Sequence, residues 1–209
     1  MHSIPRVTQV LMILNVLAFL LQSVTGDQLI VPFGLWTLGT GPTSAFDGGP
    51  HFQIWQVVTY AFLHGSMTHL FFNMLALYMF GSDIERVWGP RRYAAYYLVC
   101  VVSAAVAQLA IASFTDSPPY PTIGASGGVF GLLLAFGMMY PQRMVMLLIP
   151  PIPMRAWVLV LIYGAIELFL GVTGSQSGVA HFAHLGGMAG GFLLIQYWRG
   201  KLPIGPSRR

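Results

Sequence analysis

The chain has 209 residues, 56% of them hydrophobic and 8% charged, against roughly a quarter charged in an ordinary soluble domain. That deficit excludes a water-soluble globule and makes lipid the solvent, and the length allows one membrane domain, 1–209, with no room for a separate soluble catalytic module. The net charge of +4 comes from basic residues scattered between apolar runs, so a topology signal explains it and nucleic acid is not an expected partner. Cys100 is the single cysteine; it lies in an apolar run and reads as a small buried hydrophobe.

Six apolar segments follow in chain order, each near the ~20 residues that cross a ~30 Å hydrocarbon core. They run over 7–24, 67–80, 93–114, 126–140, 156–172 and 179–198. Backbone polar groups find no water in lipid, so such runs are expected to be helices, and the fold class is an all-α bundle of six transmembrane helices. The second and fourth are short. A helix of about 15 residues rises only ~22 Å, so a short span leaves space above it where a polar site can sink into the bilayer. Between the first two spans lies the one long connection, Thr25 to Ser66, rich in glycine and proline yet carrying Phe33, Trp36, Phe46, Phe52 and Trp55. Glycine and proline forbid one regular element and aromatics prefer the interface, so this first external loop is expected to lie partly embedded.

Charge placement gives an orientation. Arg6 precedes the first span, Arg86, Arg91 and Arg92 follow the second, Arg143 and Arg155 follow the fourth, and Arg199, Lys201, Arg208 and Arg209 follow the sixth. The remaining connections hold Asp27, Asp47 and Asp116 and no basic residue. The positive-inside rule then puts both termini in the cytoplasm, and no small-residue cleavage pattern marks the first stretch as a removable leader.

With that orientation the second, fourth and sixth spans run inward from the outer face, and His69, Asn73, Ser126 and His184 share one outer layer. A polar group in hydrocarbon is costly without a partner, so four of them at one depth point to a site. Serine is a weak nucleophile until a base takes its proton, and neutral imidazole is suited to that task. Ser126 and His184 form such a pair. Attack on a peptide carbonyl develops an oxyanion, for which His69 and Asn73, spaced i and i+4, and the Ser126 N–H at a helix start are the expected donors. No aspartate or glutamate is placed by the sequence to orient His184, so the pair reads as a dyad held by packing. Gly124, Gly127, Gly128 and Gly131 line the fourth span and Gly186, Gly187, Gly190 and Gly191 the sixth, a small-residue pattern that lets two membrane helices approach closely. Phe130, one turn below Ser126, is then placed to pack on the imidazole, with Gly187 leaving room.

Three stretches together resemble the rhomboid intramembrane serine proteases: Gly-Ala-Ser-Gly at 124–127, Ala-His-Leu-Gly-Gly at 183–187, and His64-Gly-Ser-Met-Thr-His69-Leu-Phe-Phe-Asn73. The resemblance covers nearly the whole chain as a minimal six-span bacterial-type core. It implies Ser126 as nucleophile, His184 as general base, and His69 with Asn73 as the side-chain part of the oxyanion hole. Gly81-Ser82-Asp83-Ile84-Glu85 is similar to the family's Gly-x-x-x-Glu, whose glutamate ties loops together. The resemblance further implies that substrate helices approach beside the second and fifth spans and that the loop around Gly174–Gly178 acts as a cap. It suggests a multi-pass protein of a bacterial inner membrane, its site toward the extracytoplasmic side. Two departures stand out: Trp55-Gln56 where the family commonly has Trp-Arg, and Phe130 where many members have tyrosine.

Other readings were weighed residue by residue. A lone membrane serine is more often a helix-packing residue or cap, and only its partners reverse that for Ser126. His64 reads as a loop-fixing hydrogen-bonder, His51 as interface, and His181 as structural or at the mouth of the site. Glu167, in the outer half of the fifth span, is read as protonated or locally hydrogen-bonded, with substrate gating open. No metal or other cofactor is expected, since His-Glu-x-x-His is absent and the histidines lack an obvious carboxylate or thiolate co-ligand. The expected partners are the lipid bilayer and single-span membrane proteins cut near the outer face. The alternative is a catalytically silent rhomboid-like protein that binds membrane helices.

Overall fold

The computed structural model describes residues 3–38, 50–114, 120–146, 151–174 and 179–202. Part of the long first loop (39–49), Asp116, most of the expected cap (175–178) and Arg208 and Arg209 lie outside the described residues. Helix α1 (Arg6–Thr25) continues through a 3-10 turn (Gly26–Leu29) into the short α2 (Ile30–Phe33). After α3 (Gln56–Thr59) come α4 (Met67–Ala76), a π-helical turn (Leu77–Gly81), α5 (Ser82–Trp88), α6 (Pro90–Ala112), α7 (Ser126–Met139), α8 (Ala156–Thr173) and α9 (His181–Trp198). Among the described residues, the stretch Arg6–Phe33, α6 and α8 are long and apolar enough to cross a membrane, and α7 is a shorter apolar helix.

Three sequence expectations need correction. The second segment is not short: helix runs unbroken from Met67 through the π turn to Trp88. Hydropathy ended it at residue 80 because Asp83, Glu85 and Arg86 follow, yet the Glu85 carboxylate is 4% exposed and carried inside the fold. There it accepts from the backbone N–H groups of Val7 and Thr8, at 2.9 and 2.7 Å, and from the Thr8 hydroxyl. A carboxylate placed on the orphan donors at the start of α1 gains hydrogen bonds and a favourable helix dipole, which is why the charge does not end the helix. The architecture is also not purely helical. Strands β1 (Met144–Met146) and β2 (Pro153–Arg155) pair antiparallel between α7 and α8, with Val145 opposite Met154. Finally, the third helix lies at 90–112 and not 93–114, because Pro90 has the preset φ and the dispensable N–H of a first-turn residue.

Packing follows the logic of a lipid solvent. On α1 the buried residues are Thr8 and Asn15, while Leu17, Leu20 and Leu21 are exposed. Lipid tails are as apolar as leucine, so leucines gain little by turning inward and the polar side chains go inside. The centre is α6, α7 and α9, held together by close backbone approach. A Cβ on Gly187 would collide with the Gly127 carbonyl of α7, and one on Gly128 would lie 2.5 Å from the Tyr97 ring of α6. Gly186 and Gly190 face Ala107 and Ser103 of α6. The glycines of α9 therefore serve two neighbours, and Gly187 makes room for the α7 backbone.

The described part of the first loop is pinned by Gln56, which is fully buried. Its side-chain oxygen accepts from the Trp36 and Gln53 N–H groups, and its amide donates to the Pro32 and His51 carbonyls. Leu35 and Thr122 then exchange backbone hydrogen bonds of 3.0 and 2.9 Å, tying this loop to the strand-like approach to Ser126.

Candidate active site

Ser126 is the first residue of α7, so its N–H is among the four that a helix start leaves without an intrahelical partner. The turn before it depends on Gly124, at φ +130, a region that side chains rarely adopt. The Gly124 N–H donates to the Tyr60 carbonyl at 2.9 Å, and the Tyr60 hydroxyl donates to the Val101 carbonyl at 2.8 Å. These two hydrogen bonds tie the turn that carries Ser126 to the loop and, through Tyr60, to α6.

His184, in the first turn of α9 and 8% exposed, brings Nε2 to 2.7 Å from Ser126 Oγ. The contact exists because the two helix backbones touch where Gly127, next to Ser126, meets Gly187, one turn beyond His184. Phe130 lies flat on the imidazole, with ring centroids 4.3 Å apart and planes 4° apart. The ring can therefore neither tilt nor turn away from Ser126 without losing that stack.

His69 and Asn73 stand on α4 across from Ser126. The Ser66 hydroxyl caps α4 by accepting from the His69 N–H, and Asn73 donates to the His69 carbonyl at 3.0 Å. The His69 ring occupies the space a side chain on residue 124 would need: a Cβ there would lie 2.7 Å from Cε1 and 2.8 Å from Nε2. A glycine is required at 124 for two reasons, conformation and the close approach of this ring. His64 is fully buried, and its ring packs edge-on against His69 at 4.9 Å. Its backbone exchanges hydrogen bonds with the Gln22 side chain of α1 at 2.9 and 3.1 Å.

The sequence expectation that no carboxylate reaches His184 is overturned. Glu167 of α8 places Oε2 2.6 Å from His181 Nδ1 and 2.9 Å from His184 Nδ1. Only the His181 contact is aligned as a hydrogen bond; His184 Nδ1 sits at hydrogen-bond distance but off the line. Glu167 and His181 are 8% and 5% exposed, so His181 lies inside the bundle and not at a mouth. A signal was present in the sequence: a carboxylate in an apolar span needs a partner, and His181 and His184 fall on one face of their helix. The link between two helices distant in sequence was not visible.

Glu167, His181 and His184 also form a three-donor cluster of the kind that can hold a metal ion. Ligands at ~2.0–2.1 Å around a tetrahedral zinc stand about 3.3 Å apart. The 2.6 and 2.9 Å separations are shorter than that and match groups sharing protons.

A cavity of about 610 Å³ opens on these groups. Ser126, His184, His69 and Asn73 line its polar end, while Met79 of the π turn after α4 and Tyr163 of α8 belong to its apolar walls. It is large enough for several side chains of an extended peptide.

Comparison with known proteins places the chain. The rhomboid-domain family model matches residues 51–200. The chain is 31% identical over 188 residues to Rhomboid protease GluP of Bacillus subtilis, covering 90% of this chain and 34% of that protein. It is 30% identical over 157 residues to the mitochondrial Rhomboid protein 1 of Saccharomyces cerevisiae, covering 68% of this chain and 41% of that one. With Rhomboid protease GlpG of Yersinia pestis it shares 26% identity over 187 residues, 90% of this chain and 60% of that protein. The chain thus spans between 34% and 60% of the length of these relatives. The chain is a helical integral membrane protein and belongs to the rhomboid family.

Proposed function

We propose that the protein is an intramembrane serine endopeptidase in which Ser126 is the nucleophile and His184 the general base. The observation that carries this reading is the 2.7 Å contact between Ser126 Oγ and His184 Nε2, made inside a helical bundle and facing a cavity of peptide dimensions. His184 Nε2 takes the hydroxyl proton as Oγ bonds to the carbonyl carbon, and the carbonyl π pair moves onto oxygen. The Ser126 N–H and donors on His69 and Asn73 receive that oxyanion. Asn73 uses one amide proton on the His69 carbonyl, and its amide carries a second. The proton on His184 Nε2 then passes to the amine nitrogen as the C–N bond breaks, leaving an ester on Oγ. Water repeats the sequence: it yields its proton to His184, attacks the ester carbon, and Oγ leaves with that proton.

The substrate class follows from the cavity walls and the charge map. A six-span arrangement with cytoplasmic termini puts the site toward the extracytoplasmic face of what we take to be a bacterial inner membrane. Its substrates are then single-span proteins, admitted between α4 and α8 and cut in or beside their membrane segment. A helical peptide bond is shielded by its own hydrogen bonds, so helix-weakening residues near the cut promote cleavage. The test is cleavage of a single-span reporter in proteoliposomes by wild type, Ser126→Ala and His184→Ala. The reading requires cleavage by wild type alone. Cleavage by all three contradicts the dyad, and stable reporter binding without cleavage by wild type supports a silent helix-binding protein instead.

A further inference from the structure

We infer that Glu167 is a positioning residue for the base, completing a Ser126–His184–Glu167 line in which His181 holds the carboxylate. The inference rests on the dyad reading above and goes beyond it. Its ground is the convergence of two imidazole Nδ1 atoms on one oxygen, Glu167 Oε2, at 2.6 and 2.9 Å. The oxygen lies on the far side of the His184 ring from Ser126, which faces Nε2. Neutral imidazole carries one N–H, and the base must keep Nε2 bare to accept the serine proton. His184 Nδ1 makes no other hydrogen bond among the described residues, and the carboxylate oxygen stands 2.9 Å from it. The carboxylate therefore selects the tautomer with the proton on Nδ1 and the bare nitrogen toward Ser126.

The same charge acts again during the reaction. When Ser126 gives up its proton, His184 becomes an imidazolium with Glu167 Oε2 at contact distance, inside a site where charges are weakly screened. The off-line angle at His184 fits a resting state, because catalytic hydrogen bonds commonly tighten only when substrate binds. His181 supplies the aligned bond that keeps the carboxylate from rotating away. His69, across Ser126 on α4, and the phenols of Tyr60 and Tyr163 line the same cavity as His184.

Two measurements test this. In the first, Glu167→Ala and Glu167→Asp are compared with wild type in the reporter assay, with thermal unfolding in detergent checking that each folds. Positioning predicts kcat lowered about 100-fold in Glu167→Ala, the low end of what a general base contributes, with KM within about twofold. Glu167→Asp should recover a substantial part of kcat. A folded Glu167→Ala with wild-type kcat overturns the inference while leaving the dyad intact, since Ser126→Ala and His184→Ala are inactive in that case. Activity persisting in Ser126→Ala would instead remove the dyad beneath it. The second measurement needs no change at position 167: the 15N spectrum of imidazole-labelled wild type, with His184 assigned by its absence from His184→Ala. The inference requires His184 to carry its proton on Nδ1 at neutral pH; a proton on Nε2 overturns it even if every Glu167 variant fails to fold.

Discussion

The two halves of the site are built on opposite principles. On one side, α7 and α9 meet through glycine, and nine of the fourteen residues of α7 are buried. On the other, α8 buries only Ala156, Leu159, Val160 and Glu167 of its eighteen residues, with Leu161, Phe169 and Val172 turned outward. Ser126 and His184, the proposed nucleophile and base, sit on the close-packed seam, where backbone contact fixes their spacing. The carboxylate sits on the loosely held helix, which is also a wall of the cavity.

Breaking the seam side should have the largest effects. Ser126→Ala and His184→Ala should each remove about 10⁴-fold or more of the activity, because members of a nucleophile–base pair act as a unit. Gly187→Val places a side chain into the Gly127 carbonyl, so it should fail to fold or lose activity entirely, read by unfolding in detergent and by reporter cleavage. Gly186→Ala, which faces the Ala107 methyl and the Ser103 carbonyl of α6, should impair folding by the same instrument without touching Ser126 directly.

The Phe130 stack is a smaller contribution. Aromatic contacts of this kind are worth about 0.5–1.5 kcal/mol beyond burial, so Phe130→Ala should lower kcat by about two- to tenfold, while Phe130→Tyr should preserve it. Smallest of all is the solvent-exposed ion pair of Asp83 with Arg143, 2.7 Å long. Asp83→Asn should leave cleavage unchanged and lower the unfolding midpoint by no more than about 4 °C, as an exposed bridge contributes at most ~1 kcal/mol.

Much of this arrangement was legible in the sequence, and the reasons differ by region. Ser126, His184 and Phe130 could be brought together because glycines at helical spacing imply close helices, and helix geometry then carries each side chain to a definite depth. Gly187 was legible as a small-residue contact, while its meeting with the Gly127 carbonyl was not, since spacing along one helix does not reveal which backbone atom a residue faces. The end of the second helical segment was misread because hydropathy treats Glu85 as a charge needing water. It is satisfied instead by the start of α1, 77 positions away from Thr8. Glu167 escaped for the same physical reason: a buried carboxylate is explained only by its partners, and these lie on another helix.

Every role proposed for the site depends on activation of Ser126 by His184. The most direct measurement is mass-mapped labelling of the detergent-solubilised protein with a fluorophosphonate probe, comparing wild type, Ser126→Ala and His184→Ala. Activation by His184 predicts one adduct, on Ser126, in wild type and none in either variant. Equal labelling of all three proteins, or an adduct on another residue, would contradict it.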